Sequence, residues 1–191
     1  MNQEYKIWFP HEVFYIESLL SITRTILSEQ NDVANILDEI QSGNYENEKI
    51  LIDAVQNICI QAAQMSKFFW PISKDKIHKK RGQRLREVYN IKESNCLKDK
   101  DVRNFIEHFD EKLDQYLNKF IAGKITPMYV GPRIKMEMKQ IFRGYFTDEA
   151  VFIIFQLEYK IIPIVDEIER IHLLLEEDII KGRFRNIKNN L

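Results

Sequence analysis

The sequence predicts a mainly α-helical fold, an antiparallel helical bundle with a β-hairpin inserted before the last helix. Three observations predict it. Apolar residues recur at helical spacing through most of the chain. Only the stretch of about 138–161 concentrates β-branched and aromatic residues in the manner of strands. Proline and glycine stand at the junctions between these segments.

A first helix is expected from Pro10 to about Ser28, since Val13, Ile16, Leu20 and Leu27 share one face and proline suits a first helical turn. Asp32 can cap a second, Val33 to Gln41, with Val33, Ile36, Leu37 and Ile40 facing one way and Ser42-Gly43 ending it. Tyr45 to Trp70 reads as a long, apolar central helix whose stripe is Leu51, Ala54, Val55, Ile58, Ala62, Met65 and Phe69, stopped by Pro71. Lys74 to Arg86 is the most basic stretch, with Asp75 its single acid. Such a run is either a solvated helix face or loop, or a phosphate-binding surface offering Lys79, Lys80, Arg81, Arg84 and Arg86.

From about Val102 to Phe120 the pattern is that of an amphipathic helix. Val102, Phe105, Ile106, Phe109, Leu113, Tyr116, Leu117 and Phe120 fall in one stripe, and Arg103, Asn104, Glu107 and His108 fall opposite. Asn104 and His108 are one turn apart, as are Arg103 and Glu107, so the four form a polar patch away from the core contact. Beyond Gly123, Ile125 to Arg133, with Pro127 and Gly131-Pro132, suggests a loop or short edge strand. Gln140 to Thr147 and Val151 to Ile161 are expected as paired strands joined through Asp148-Glu149-Ala150. Val151, Ile153, Phe155, Leu157 and Tyr159 would share one face of the second strand. Pro163 can open a final helix to about Ile180, with Ile164, Ile168, Ile171, Leu175 and Ile179 inward. The polar tail, 182–191, is expected to fray.

At 191 residues the chain fits a single domain, 1–191, able to bury a core without disulfides or metals. A composition that is 45% hydrophobic and 30% charged is that of an ordinary soluble protein. The net charge of −1 supplies no overall field for nucleic acid or anionic membrane, so contact with either needs a local patch. Cys59 and Cys96 are too few for a disulfide framework, and Cys59 is expected in the core. The opening MNQEYKIWFPHE carries charges and a proline where a signal peptide needs an apolar run, and no apolar run is long enough to span a membrane. These features favour the cytoplasm.

Several site chemistries are missing from the sequence. It contains no glycine-rich phosphate loop, HExxH helix, GxSxG elbow, zinc-spaced Cys/His cluster or EF-hand loop, so no metal or cofactor is expected. Glu176-Glu177-Asp178 reads as a solvated run, and His11, His78 and His172 lack a partner at useful spacing, His172 bordering its core stripe. There remains the patch of Arg103, Asn104 and His108. Histidine exchanges protons near neutral pH and arginine holds phosphate in a fork of hydrogen bonds, which together suit phosphodiester cleavage without a metal. The same face also fits a plain solvated helix in which Arg103 pairs with Glu107.

The stretch VRNFIEHFDEKLDQYL resembles the signature helix of the HEPN (higher eukaryotes and prokaryotes nucleotide-binding) family, whose ribonucleases carry Arg, four to six residues, then His, commonly with a polar residue after the Arg. Arg103, Asn104 and His108 occupy those places. The resemblance is confined to this helix and a generic helical pattern. It implies a homodimer in which two signature helices pool their Arg and His residues, acting on RNA as a ribonuclease similar to toxin or defence nucleases, with an antitoxin as a further partner. His108 would then transfer protons, Arg103 bind the phosphate and Asn104 orient, with Glu107 supporting Arg103 and the Lys79–Arg86 cations as RNA contacts. The alternative is a non-catalytic HEPN-like module that binds a nucleotide, RNA or a partner protein through the same face.

Overall fold

Nothing in Glu29-Gln30-Asn31-Asp32 interrupts a helix, and the computed structural model, which describes residues 7–44, 46–99, 108–119, 125–134 and 140–185, carries one helix through it. Helix α1 (Phe9–Gln41) thus replaces the two expected helices. The segment has no glycine or proline, and the apolar stripe crosses it in register, Ile26, Val33 and Ile36 being buried with Ile16 and Leu19. Asp32, expected as a cap, is an exposed mid-helix residue. The helix ends at Ser42, after which Gly43 takes a φ of +92°, a conformation that glycine adopts without strain.

Helix α2 (Glu48–Phe69) buries every residue of its predicted stripe and is the central helix. It runs antiparallel to α1, as bonds from Asn57 to Glu29 and from Asn47 to Glu39, both 2.6 Å, show. Helix α3 (Lys76–Val88) starts where the Asp75 carboxylate accepts the Ile77 N–H at 2.8 Å. The basic stretch is therefore helical, and it is pressed against the end of α2. A Cβ on Gly82 would lie 2.5 Å from the Phe69 carbonyl oxygen, so only glycine permits this approach. A single 3-10 turn (Cys96–Lys98) follows, then α4 (Phe109–Lys119).

The expected hairpin is part of a four-stranded mixed sheet. Strands β1 (Ile125–Gly131), β2 (Gln140–Phe146), β3 (Val151–Ile154) and β4 (Leu157–Lys160) lie in sequence order, β1 parallel to β2 and the other pairs antiparallel. β1 is an edge strand, which accommodates Pro127. The single strand predicted over Val151–Ile161 is two strands, because the chain reverses at Phe155-Gln156, with φ of +50° and +69°. Left-handed backbone costs about 1–2 kcal/mol per non-glycine residue. Against it stands the Phe155 ring, buried with its centroid 5.2, 5.3 and 5.7 Å from those of Phe109, Phe142 and Tyr116. Burying one such ring is worth about 1.5–3 kcal/mol before any ring–ring gain. The one strand face expected for Val151, Ile153, Phe155, Leu157 and Tyr159 is accordingly split. Val151 and Ile153 join Ile141 and Phe146 in a small cluster, whereas Phe155 and Tyr159 enter the main core.

Helix α5 (Ile161–Lys181) returns antiparallel to α1, since Thr23 Oγ1 meets His172 Nδ1 at 2.9 Å while Glu12, earlier in α1, meets Phe184 beyond the end of α5, and Arg24 bonds Glu176 at 2.7 Å. Ile164, Ile168, Ile171 and Leu175 are buried as expected. At the next turn the buried residue is Asp178 rather than Ile179, and the Arg185 guanidinium lies 3.1 Å from Asp178 Oδ1. Glu176-Glu177-Asp178 is therefore not a uniformly solvated run. Nor is the start of the tail frayed: Phe184 is buried and its N–H donates to Glu12 at 2.9 Å, while residues 186–191 lie outside the described set. Among the described residues the chain is a mainly helical protein of five helices, with the sheet inserted before the last, which packs on α1. No described helix is long and apolar enough to cross a membrane.

Candidate functional site

Of the predicted patch, His108 lies within the described residues, and Arg103, Asn104 and Glu107 lie outside them, as do Val102, Phe105 and Ile106. His108 is the residue before α4, and its carbonyl accepts the Lys112 N–H at 3.0 Å, so it sits on the helical spiral. Its imidazole is half exposed. The Nδ1 atom lies 3.5 Å from Glu111 Oε2, an i,i+3 pair that is ionic only when the ring is protonated and contributes little to stability in solvent. His108 is thus accessible and has no structural duty among the described residues, whereas His172 is tied into the α1–α5 interface by Thr23 and lies 3.7 Å from Glu176. The histidine partner Thr23 lies 149 positions away, which spacing along the chain could not reveal.

Helix α4 docks by a narrow face. Tyr116 is buried and Phe109 and Leu113 are half buried, but Leu117, expected in the stripe, is 50% exposed. On that face the Phe155 ring meets Phe109 and Tyr116, and the Phe142 ring meets Tyr116. At about 100° per residue His108, Lys112, Gln115 and Lys119 fall within an arc of about 60°, bordering Tyr116, with Asp110 and Asp114 on the far side. Where this arc meets the sheet there is a groove of about 330 Å³, lined by Lys112, Gln115, Lys119 and Gln156 over Tyr116, Phe155 and Leu157. Its helical half was legible as an i, i+3, i+7 series. Gln156 was not, because it reaches the groove only through the unforeseen turn.

The cations of α3 divide in two. Arg81 donates to the Lys67 carbonyl at 3.0 Å, and Arg86 donates to the Phe69 carbonyl while stacking over Trp70 and pairing with Glu93 at 3.2 Å. Both satisfy the open carbonyls at the end of α2. Lys79 and Lys80 are exposed and face solvent, and Arg84 is half buried. Lys98, with Arg86, holds the Glu93 carboxyl below its usual range. Among the described residues no group of three or more His, Cys, Asp or Glu side chains is placed to hold a metal ion. Burial pushes the Cys59 thiol up to about 12, which leaves it an inert core residue as expected. No protein-family model, curated protein or solved structure matches the chain.

Proposed function

We propose that the protein is a dimeric HEPN-like endoribonuclease that cleaves RNA without a metal, through attack of the RNA's own 2′-hydroxyl, and that it acts as a toxin or defence nuclease. The observation that carries this reading is the exposed His108 imidazole at the start of α4, off the core and beside a basic groove. In the reaction a base removes the 2′-hydroxyl proton, the oxygen attacks phosphorus, and the 5′-oxygen leaves with a proton from an acid. The upstream product ends in a 2′,3′-cyclic phosphate. His108 serves as the proton-transfer group, Arg103 neutralises the charge that grows on the phosphoryl oxygens, and Asn104 orients by hydrogen bonding, with Glu107 holding Arg103. One histidine cannot readily remove and deliver a proton in the same step. A dimer that brings two His108 residues to one phosphate meets that need.

The test mixes the intact chain with structured and single-stranded RNA in chelator, beside His108→Ala and Arg103→Ala. The expected result is cleavage that survives chelation, yields cyclic-phosphate ends, spares a substrate with deoxyribose at the cleavage position, and is lost in both variants with unfolding midpoints unchanged. Cleavage that chelation abolishes and magnesium restores overturns the mechanism. The absence of any cleavage, with a nucleotide, RNA or partner protein bound in a manner Arg103→Ala abolishes, favours the non-catalytic module.

A further inference from the structure

We infer that the groove between α4 and the Phe155-Gln156 turn binds the single-stranded RNA flanking the cleavage site, Lys112 and Lys119 contacting its phosphates. This rests on the nuclease reading and adds where the strand lies. The chain's net charge of −1 gives no general attraction for RNA, so affinity has to come from a local cationic surface. On α4 Lys112 and Lys119 line the groove one turn and more beyond His108, the carboxylates of Asp110 and Asp114 lie on the far side of the helix, and Glu111, which pairs with His108, is outside the lining.

The spacing fits a strand that starts at His108. At 1.5 Å rise per residue Lys112 stands about 6 Å along the helix from His108, and Lys119 about 10 Å beyond Lys112. The second interval matches about three stacked nucleotides at roughly 3.4 Å each. The remaining lining suits RNA rather than a bare anion. Gln115 and Gln156 offer amides able to donate to and accept from base edges or a 2′-hydroxyl, and the Gln156 amide is held by a 3.0 Å bond to Gln140. Tyr116, Phe155 and Leu157 form an apolar floor against which a ribose or base face can rest. A cationic rim over an apolar floor is the general construction of single-strand sites.

The test measures fluorescence anisotropy of a labelled single-stranded RNA oligonucleotide over a salt series, in a His108→Ala background so that the strand is not cut. Replacing both lysines, Lys112→Ala with Lys119→Ala, is expected to weaken binding about tenfold or more at low salt. It should also flatten the log–log salt slope by about 1.4, which is two phosphate contacts at about 0.7 each. Gln115→Glu, a single exposed change that sets an acid in the groove, should weaken binding several-fold and carries the test if the double variant does not fold. Lys181→Ala, on exposed α5 surface, should change neither quantity. Unaltered affinity and slope in the groove variants overturn the inference while leaving the nuclease reading intact. RNA bound in the groove but never cleaved by the unsubstituted chain sinks the nuclease reading and leaves the groove standing, and failure of the chain to bind RNA at all overturns both.

Discussion

Gly82→Ala sets two opposing effects against each other, and the structure decides between them. In an exposed helix interior the change stabilises by about 1 kcal/mol, because alanine restricts the unfolded chain and favours the helix. In α3 the new methyl would lie 2.5 Å from the Phe69 carbonyl oxygen and 2.6 Å from Pro71 Cδ. Both belong to the chain at the α2–α3 corner, so neither can swing aside as a side chain would. The helices must part by roughly an ångström, and such overpacking costs about 1–3 kcal/mol. Parting them also stretches the bonds from Arg81 to the Lys67 carbonyl and from Arg86 to the Phe69 carbonyl, and charge-assisted bonds of this kind contribute about 1.5–3 kcal/mol each. With the helix gain subtracted, the net expectation is destabilisation by about 2 kcal/mol. In a domain of this size about 2–4 °C accompanies each kcal/mol, so Tm should fall by about 4–8 °C. Thermal and urea unfolding followed by circular dichroism measure it, with Lys79→Ala on the exposed face of the same helix as a reference expected within about 0.5 kcal/mol. A Gly82→Ala protein as stable as the parent, or more so, would refute the close approach of α3 to the end of α2.

Two further outcomes follow from the structure and a third from the proposed mechanism. Arg185→Ala should cost about 3 kcal/mol in urea unfolding, because it leaves the fully buried Asp178 carboxylate without its cation, and an unchanged midpoint would show that the tail is not anchored there. Cys59 should resist a water-soluble thiol reagent until the protein unfolds, since burial raises its thiol to about 12; labelling in the native state at the rate of an open thiol would contradict the central placement of α2. The shared-site mechanism requires a homodimer, so light scattering at micromolar concentration should give twice the 22.9 kDa chain mass, and a monomer would count against it.

Periodicity alone determined the helices whose burial is one-sided and continuous. The stripe of α2 and the inward Ile164, Ile168, Ile171 and Leu175 of α5 are read correctly from spacing, because a helix that packs along its length must repeat its apolar residues at the helical period. The accessible position of His108 follows from the same pattern. Where local signals competed with packing, tertiary structure decided. Asp32 has the chemistry of a cap, yet the continuous stripe of α1 against α2 and α5 keeps the helix running. Phe155-Gln156 carries no turn residue, yet reversing there buries an aromatic ring among three others, which outweighs the left-handed backbone. Asp178 lies inside because Arg185 returns to meet it, a pairing that depends on how the chain folds back beyond α5. The groove beside His108 belongs to this second class. Its lysines and Tyr116 stand on one helix and are legible in the sequence, but the rest of its floor, Phe155 and Leu157, and its opposite wall, Gln156, come from a turn about 40 residues later, and only packing brings the two together.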